Sequence, residues 1–177
     1  MIDYKMLFAG FGGQGILFVG KVAVYAGLCD GYEVSWLPSY GPEMRGGTAN
    51  CSVCISDEMI SSPLVVNPGI FVAMNQPSYE KFINDVTPGG YVFVDSTLIN
   101  VTDPRKDVKL FEIPATKLAE ENDLKGLANI IMLGKLYKET NYCRFDGLKA
   151  GVEHCIPPRK QHLLEPNMKA IEIGMNY

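Results

Sequence analysis

The sequence predicts an α/β fold, a Rossmann-like three-layer domain with a mostly parallel sheet and a helical C-terminal part. Three observations carry this. A glycine-rich turn, Gly10-Phe11-Gly12-Gly13-Gln14-Gly15, joins a short apolar run to a helical pattern. Strand-like runs recur at residues 32–37, 48–56, 70–74, 91–95 and 109–113. From Ala115 onward the apolar spacing turns helical.

Taken in order, residues 5–9 form the first strand and stop at the glycine turn, after which Ile16, Val19, Gly20, Ala23, Ala26 and Gly27 recur at helical spacing. Residues 32–37 favour a strand that ends at Pro38, which has no N–H to give a sheet, and a loop then runs through residues 38–47. Residues 48–56, with Met59-Ile60, suggest a hairpin turning at Asp57-Glu58. Residues 70–74 are a compact buried strand, and Asn75-Gln76-Pro77-Ser78 begins a helix. Gly89-Gly90 precedes the strand at 91–95, and Pro114 closes the one at 109–113. Helices are expected at 116–122, 128–138, 148–154 and 159–174, the last led in by Pro157-Pro158. Neither a repeat nor a linker divides the chain, so residues 1–177 are expected to be a single domain.

With 16 Lys+Arg against 20 Asp+Glu and a formal net charge of -4, the chain has no excess of positive charge for a phosphate backbone, and nucleic acid is excluded as a partner. No apolar run approaches the ~20 residues that span a bilayer, so no membrane association and a cytoplasmic location are expected. The five cysteines, Cys29, Cys51, Cys54, Cys143 and Cys155, have no disulfide-framework spacing and read as reduced thiols. Cys51-Ser52-Val53-Cys54 is a lone C-x-x-C, distant in sequence from His154 and His162. On a strand its thiols point to opposite faces, so a structural role is expected and no metal site.

Gly10, Gly12 and Gly15 satisfy G-x-G-x-x-G after a strand and before a helix, where backbone N–H groups can approach an anion. A dinucleotide pocket also needs an acid at the end of the second strand, and none stands there: Glu33 lies within that strand and Glu43 in the loop. Gly15 is followed by Ile16-Leu17, so the lysine of a phosphate-binding P-loop is missing too. Anion binding and helix–sheet packing both remain open as the purpose of the turn. In the loop, Arg45 could offer its guanidinium to a carboxylate or phosphate and Glu43 could pair with it or accept from a ligand amine; the other reading is a surface ion pair in a loop that packs on a partner. Asn75 and Gln76 stand where the carboxyl edge of a parallel sheet binds ligands, or else Asn75 or Ser78 caps a helix. With no G-x-S-x-G elbow and no carboxylate pair, no catalytic residue is assigned, which suggests a domain that holds part of a cofactor or partner while chemistry occurs elsewhere.

The glycine turn, the loop Pro38-Ser39-Tyr40-Gly41-Pro42-Glu43-Met44-Arg45-Gly46-Gly47-Thr48-Ala49, Ile55-Ser56-Asp57, Ser62-Pro63 and Met74-Asn75-Gln76-Pro77-Ser78 together resemble the gamma subunit of 2-oxoacid:ferredoxin oxidoreductases. The resemblance is most like the 2-oxoglutarate type, with branched-chain 2-oxoacid and pyruvate types close. It implies a complex that decarboxylates a 2-oxoacid, forms an acyl-coenzyme A and passes two electrons to ferredoxin or flavodoxin. In that family thiamine diphosphate and magnesium serve the alpha and beta catalytic subunits. Iron-sulfur clusters are carried by beta or by a ferredoxin-like delta subunit. The gamma chain is associated with assembly and with access of coenzyme A, binds no cofactor by itself, and is not expected to be active alone. Carried over by position, Gly10, Gly12, Gly13, Gln14 and Gly15 form the cofactor-binding turn. Ser39, Tyr40, Glu43, Arg45, Gly46 and Gly47 form a partner-facing loop, expected at the carboxyl edge of the sheet beside that turn. The rival readings are a free-standing nucleotide-binding Rossmann-like protein and a purely structural scaffold subunit.

Overall fold

The computed structural model describes residues 1–39 and 49–177. Strand β1 (Asp3–Gly10) alternates its side chains between two apolar clusters: Met6 and Phe8 join one, Leu7 and Ala9 the other. A strand buried on both faces needs this unbroken apolar run. Helix α1 (Ile16–Cys29) returns the chain to β2 (Glu33–Ser39), and β3 (Ala49–Ser56) follows. Then come β4 (Ile70–Ala73), α2 (Gln76–Phe82), β5 (Tyr91–Asp95), β6 (Lys109–Ile113), α3 (Ala115–Glu121), α4 (Ala128–Thr140), α5 (Phe145–Cys155) and α6 (Leu164–Asn176).

Among the described residues the strands form one six-stranded sheet in the order β2-β3-β1-β4-β5-β6. β1, β4, β5 and β6 pair in parallel, while β3 runs antiparallel to both β1 and β2, which therefore point the same way. The sheet is mostly parallel, as the glycine turn and the strand–helix alternation predict. The larger cluster lies on the face covered by α1 and α4, with α5 packed on α1 and α6 on α4; α2 and the segment through Ile99 cover the other face. No helix among the described residues is long and apolar enough to cross a membrane.

Three elements differ from expectation. β2 does not stop at Pro38 but runs to Ser39, with Pro38 opposite Cys51. It is an edge strand with one neighbour, where a missing N–H is tolerated. The hairpin at Asp57-Glu58 does not form. β3 already has partners on both sides, so no edge is left for Met59-Ile60, and Met59 stands 90% exposed. The terminal helix is broken: a 3-10 turn at Pro158–Leu163 contains a non-helical Lys160, and α6 restarts at Leu164. Pro166 then falls in the first turn of α6, where a proline without an N–H costs no helical bond.

The α4–α6 pair meets backbone to backbone. A Cβ at Gly134 would collide with the Ile171 carbonyl, and one at Gly174 with the Ile131 carbonyl, so only glycine permits this approach.

Candidate functional site

Gly10, Ser39, Ala73, Asp95 and Ile113 end the parallel strands on one edge of the sheet. Neighbouring β1 and β4 send α1 to one face and α2 to the other, which opens a crevice between their carboxyl ends. The glycine turn forms one wall. Gly13 (φ 94°) and Gly15 (φ 71°) adopt left-handed backbone, which a side chain would strain. At Gly12 and Gly13 a Cβ would meet nothing within 4 Å, so both face open space. Gly15 is the N-cap of α1 with no side-chain cap, and the first turn holds no acid. The first N–H groups of α1 are thus free of side-chain caps among the described residues, at the positive end of the helix.

Gln14 is tied into the protein. Its Oε1 accepts from Phe11 N at 2.7 Å and from Asn75 Nδ2 at 3.3 Å, and its Nε2 donates to the Met74 carbonyl at 2.8 Å. Asn75 caps α2 by accepting from Ser78 N at 2.8 Å, the second of its two expected roles. Gln76 is also engaged, donating to Glu80 at 2.8 Å and accepting from Asn100 N at 2.9 Å. Tyr40, Glu43, Arg45, Gly46 and Gly47 lie outside the described residues. Of that loop, Ser39 is described: it is exposed and pairs opposite Asn50, while Ala49 pairs opposite Gly10.

Several site residues carried no motif. Asn129, 3% exposed, donates from Nδ2 to the Gly15 carbonyl at 3.0 Å and braces the turn from α4. Asp95 is fully buried and accepts from Thr97 N at 3.1 Å and from Thr116 N and Oγ1 at 3.1 and 2.5 Å. It thereby caps α3, whose own N-cap, Pro114, has no side-chain bond to give. The signal available for Asp95 was an acid closing an apolar strand; for Asn129 there was none. A cleft of about 330 Å³ opens beside the turn, lined by Gly13, Gln14, Met74, Thr116, Glu120, Lys125 and Gly126. Lys125 is exposed and makes no ion pair among the described residues. A larger cleft of about 450 Å³ lies at the opposite edge, by Asp3, Lys5 and Glu58, away from these backbone donors.

The C-x-x-C thiols diverge as the strand period requires. Cys51 donates to the Ile16 carbonyl at 3.5 Å and Cys54 to the Ser62 carbonyl at 3.8 Å, on opposite faces of β3. Burial pushes the Cys51 thiol up to about 12 and raises that of Cys54. Thiols that diverge to opposite faces of a strand do not share a cluster or a metal ion. Among the described residues, no group of three or more His, Cys, Asp or Glu could hold a metal ion.

A sequence model of pyruvate ferredoxin/flavodoxin oxidoreductase matches residues 5–177. The chain belongs to this oxidoreductase family. The 2-oxoglutarate synthase subunit KorC of Methanocaldococcus jannaschii is 38% identical over 169 residues, covering 94% of this chain and 89% of KorC. The ketoisovalerate oxidoreductase subunit VorA of Methanothermobacter thermautotrophicus is 41% identical over 132 residues, 75% of this chain and 27% of VorA. The chain therefore spans about a quarter of the length of VorA. The solved keto/oxoacid ferredoxin oxidoreductase gamma subunit of Geobacter sulfurreducens superposes with a TM-score of 0.85 at 27% identity, covering 98% of this chain and 96% of that one. The oxidoreductase family thus accounts for the whole fold, glycine turn included.

Proposed function

We propose that the chain is the gamma subunit of a multi-subunit 2-oxoacid:ferredoxin or flavodoxin oxidoreductase that converts 2-oxoglutarate to succinyl-coenzyme A. The observation that carries this is the 38% identity to KorC across nearly the full length of both chains. Alpha and beta catalytic subunits and a ferredoxin-like delta subunit are its partners, in the cytoplasm. Thiamine diphosphate, magnesium and the iron-sulfur clusters belong to those partners, consistent with the divergent thiols of Cys51 and Cys54.

What this chain contributes is assembly and a hold on coenzyme A. Coenzyme A supplies the thiol that accepts the acyl group. Among the described residues the N–H groups of Gly12, Gly13 and the first turn of α1 meet no side-chain cap and suit a phosphate, and Lys125, which makes no ion pair among the same residues, adds a cation at the cleft. The partner-facing role of Ser39, Tyr40, Glu43, Arg45, Gly46 and Gly47 is part of the same reading.

Copurification from the native host with a tag on this chain tests it, the eluate being assayed for coenzyme A-dependent reduction of a viologen dye with 2-oxoglutarate, pyruvate and branched 2-oxoacids. Recovery of larger subunits with activity on 2-oxoglutarate is expected. Recovery of the chain alone and inactive would favour a free-standing nucleotide-binding protein.

A further inference from the structure

The two walls of the crevice are joined by two side chains. Gln14 spans from the turn after β1 to the Met74 carbonyl after β4, donating from Nε2, and its amide oxygen accepts from Phe11 N and Asn75 Nδ2. Asn75 is 3% exposed and passes the connection on to Ser78 N at the start of α2. Both acceptor positions of the Gln14 amide oxygen and one of its two N–H donors are thus directed at the protein. Gly12 and Gly13 have no side chains of their own and nothing within 4 Å of where a Cβ would be. Glycine loses more freedom on ordering than any other residue, so a turn that must present N–H groups to a ligand gains most from an outside brace.

We propose that Gln14 is a positioning residue for coenzyme A: together with Asn75 it fixes the direction of the Gly12 and Gly13 N–H groups through its bonds to Phe11, Met74 and Asn75. This rests on the reading of the turn as the coenzyme A-facing element. It gives Gln14 a role beyond lining the cleft, because three of its four amide positions hold Phe11, Met74 and Asn75 in place. It also makes α2 part of the binding apparatus through its cap, although α2 contributes no group to the cleft.

The test uses the assembled complex, with KM for coenzyme A, KM for the 2-oxoacid and kcat measured for Gln14→Ala, Asn75→Ala, the double variant and Gly12→Val. Gln14→Glu is added because it keeps the shape and the acceptor for Phe11 but cannot donate to Met74, so the question stays answerable if Gln14→Ala does not assemble. Each single variant of Gln14 or Asn75 is expected to raise KM for coenzyme A on the order of three- to tenfold, one net hydrogen bond expressed as affinity, with KM for the 2-oxoacid unmoved and kcat changed less than about twofold. The double variant is expected to be no worse than the worse single one, as for two members of one network. If Gly12→Val raises KM for coenzyme A while Gln14 variants do not, or if the Gln14 and Asn75 effects multiply, the positioning role is overturned and the coenzyme A reading survives. If Gly12→Val also leaves that KM unchanged in an intact complex, the turn does not face coenzyme A, and both fall.

Discussion

Asn129 Nδ2 donates to the Gly15 carbonyl at 3.0 Å across 114 positions of sequence, so the start of α4 holds the start of α1. A Cβ at Gly15 would run into that same amide, at a position already in left-handed backbone with φ 71°. Gly15→Ala therefore meets backbone strain and a collision together, and a loss of about 2–3 kcal/mol is expected in urea unfolding of the chain. Asn129→Ala removes only the brace and is expected to cost about 1–2 kcal/mol. Equal midpoints for wild type and both variants would contradict the contact.

The glycine contact between α4 and α6 makes a separate prediction. Gly174→Ala inserts a methyl group against the Ile131 carbonyl, where the neighbour is backbone and cannot turn aside. Overpacking of this kind costs about 1–3 kcal/mol, so thermal unfolding should shift down by several degrees. The same substitution at Gly12, which faces open space, should leave Tm within about one degree on the same grounds.

Asp95 is expected to be more sensitive than its sequence position suggests. Asp95→Asn keeps the volume but replaces an acceptor with an amide N–H₂ that faces Thr116 N or Thr97 N, donor against donor. Hydrogen bonds to a charged group are worth about 1.5–3 kcal/mol, and a stability loss in that range is predicted by calorimetry. Thr116→Val removes one bond of the set and should cost less. A larger loss for Thr116→Val than for Asp95→Asn would contradict the assignment of Asp95 as the cap of α3.

The thiols provide a pH test. Burial raises Cys51 and Cys143 to about 12 and Cys155 to about 11, against an ordinary 9.0. The folded chain therefore keeps these protons where the unfolded chain would release them. Their contribution is fully present below about pH 9 and is lost as pH rises toward 12, so stability should fall steadily across that window. At pH 8, alkylation of the folded chain is expected first at Cys29, which is exposed, with Cys51 and Cys143 protected until unfolding. Rapid labelling of Cys51 in the folded chain would contradict its burial.

Local pattern made much of this fold legible. Strands 91–95 and 109–113 stand in the structure with the bounds their apolar runs predict, and the period of 2 correctly set Cys51 and Cys54 on opposite faces. What pattern could not supply was pairing. The insertion of β3 between β2 and β1 depends on which strand edges remain free, and that is decided by tertiary contacts. For the same reason Pro38 looked like a strand end: whether a proline is tolerated depends on the strand being at an edge. In the candidate site the glycines were visible because their chemistry is local. Asn129 was not, since a bond to a residue 114 positions away leaves no mark on its neighbours. Gln14 was singled out with the turn, but its commitment to Met74 and Asn75 becomes evident only once β1 and β4 are known to be adjacent.

The most direct measurement is succinyl-coenzyme A formation from 2-oxoglutarate by the complex assembled from its purified subunits, with this chain left out and then added back. Little coenzyme A-dependent turnover is expected without the chain and recovery on its addition, with turnover at limiting coenzyme A reduced again by Gly12→Val. Full turnover in its absence, with an unchanged KM for coenzyme A, would contradict it.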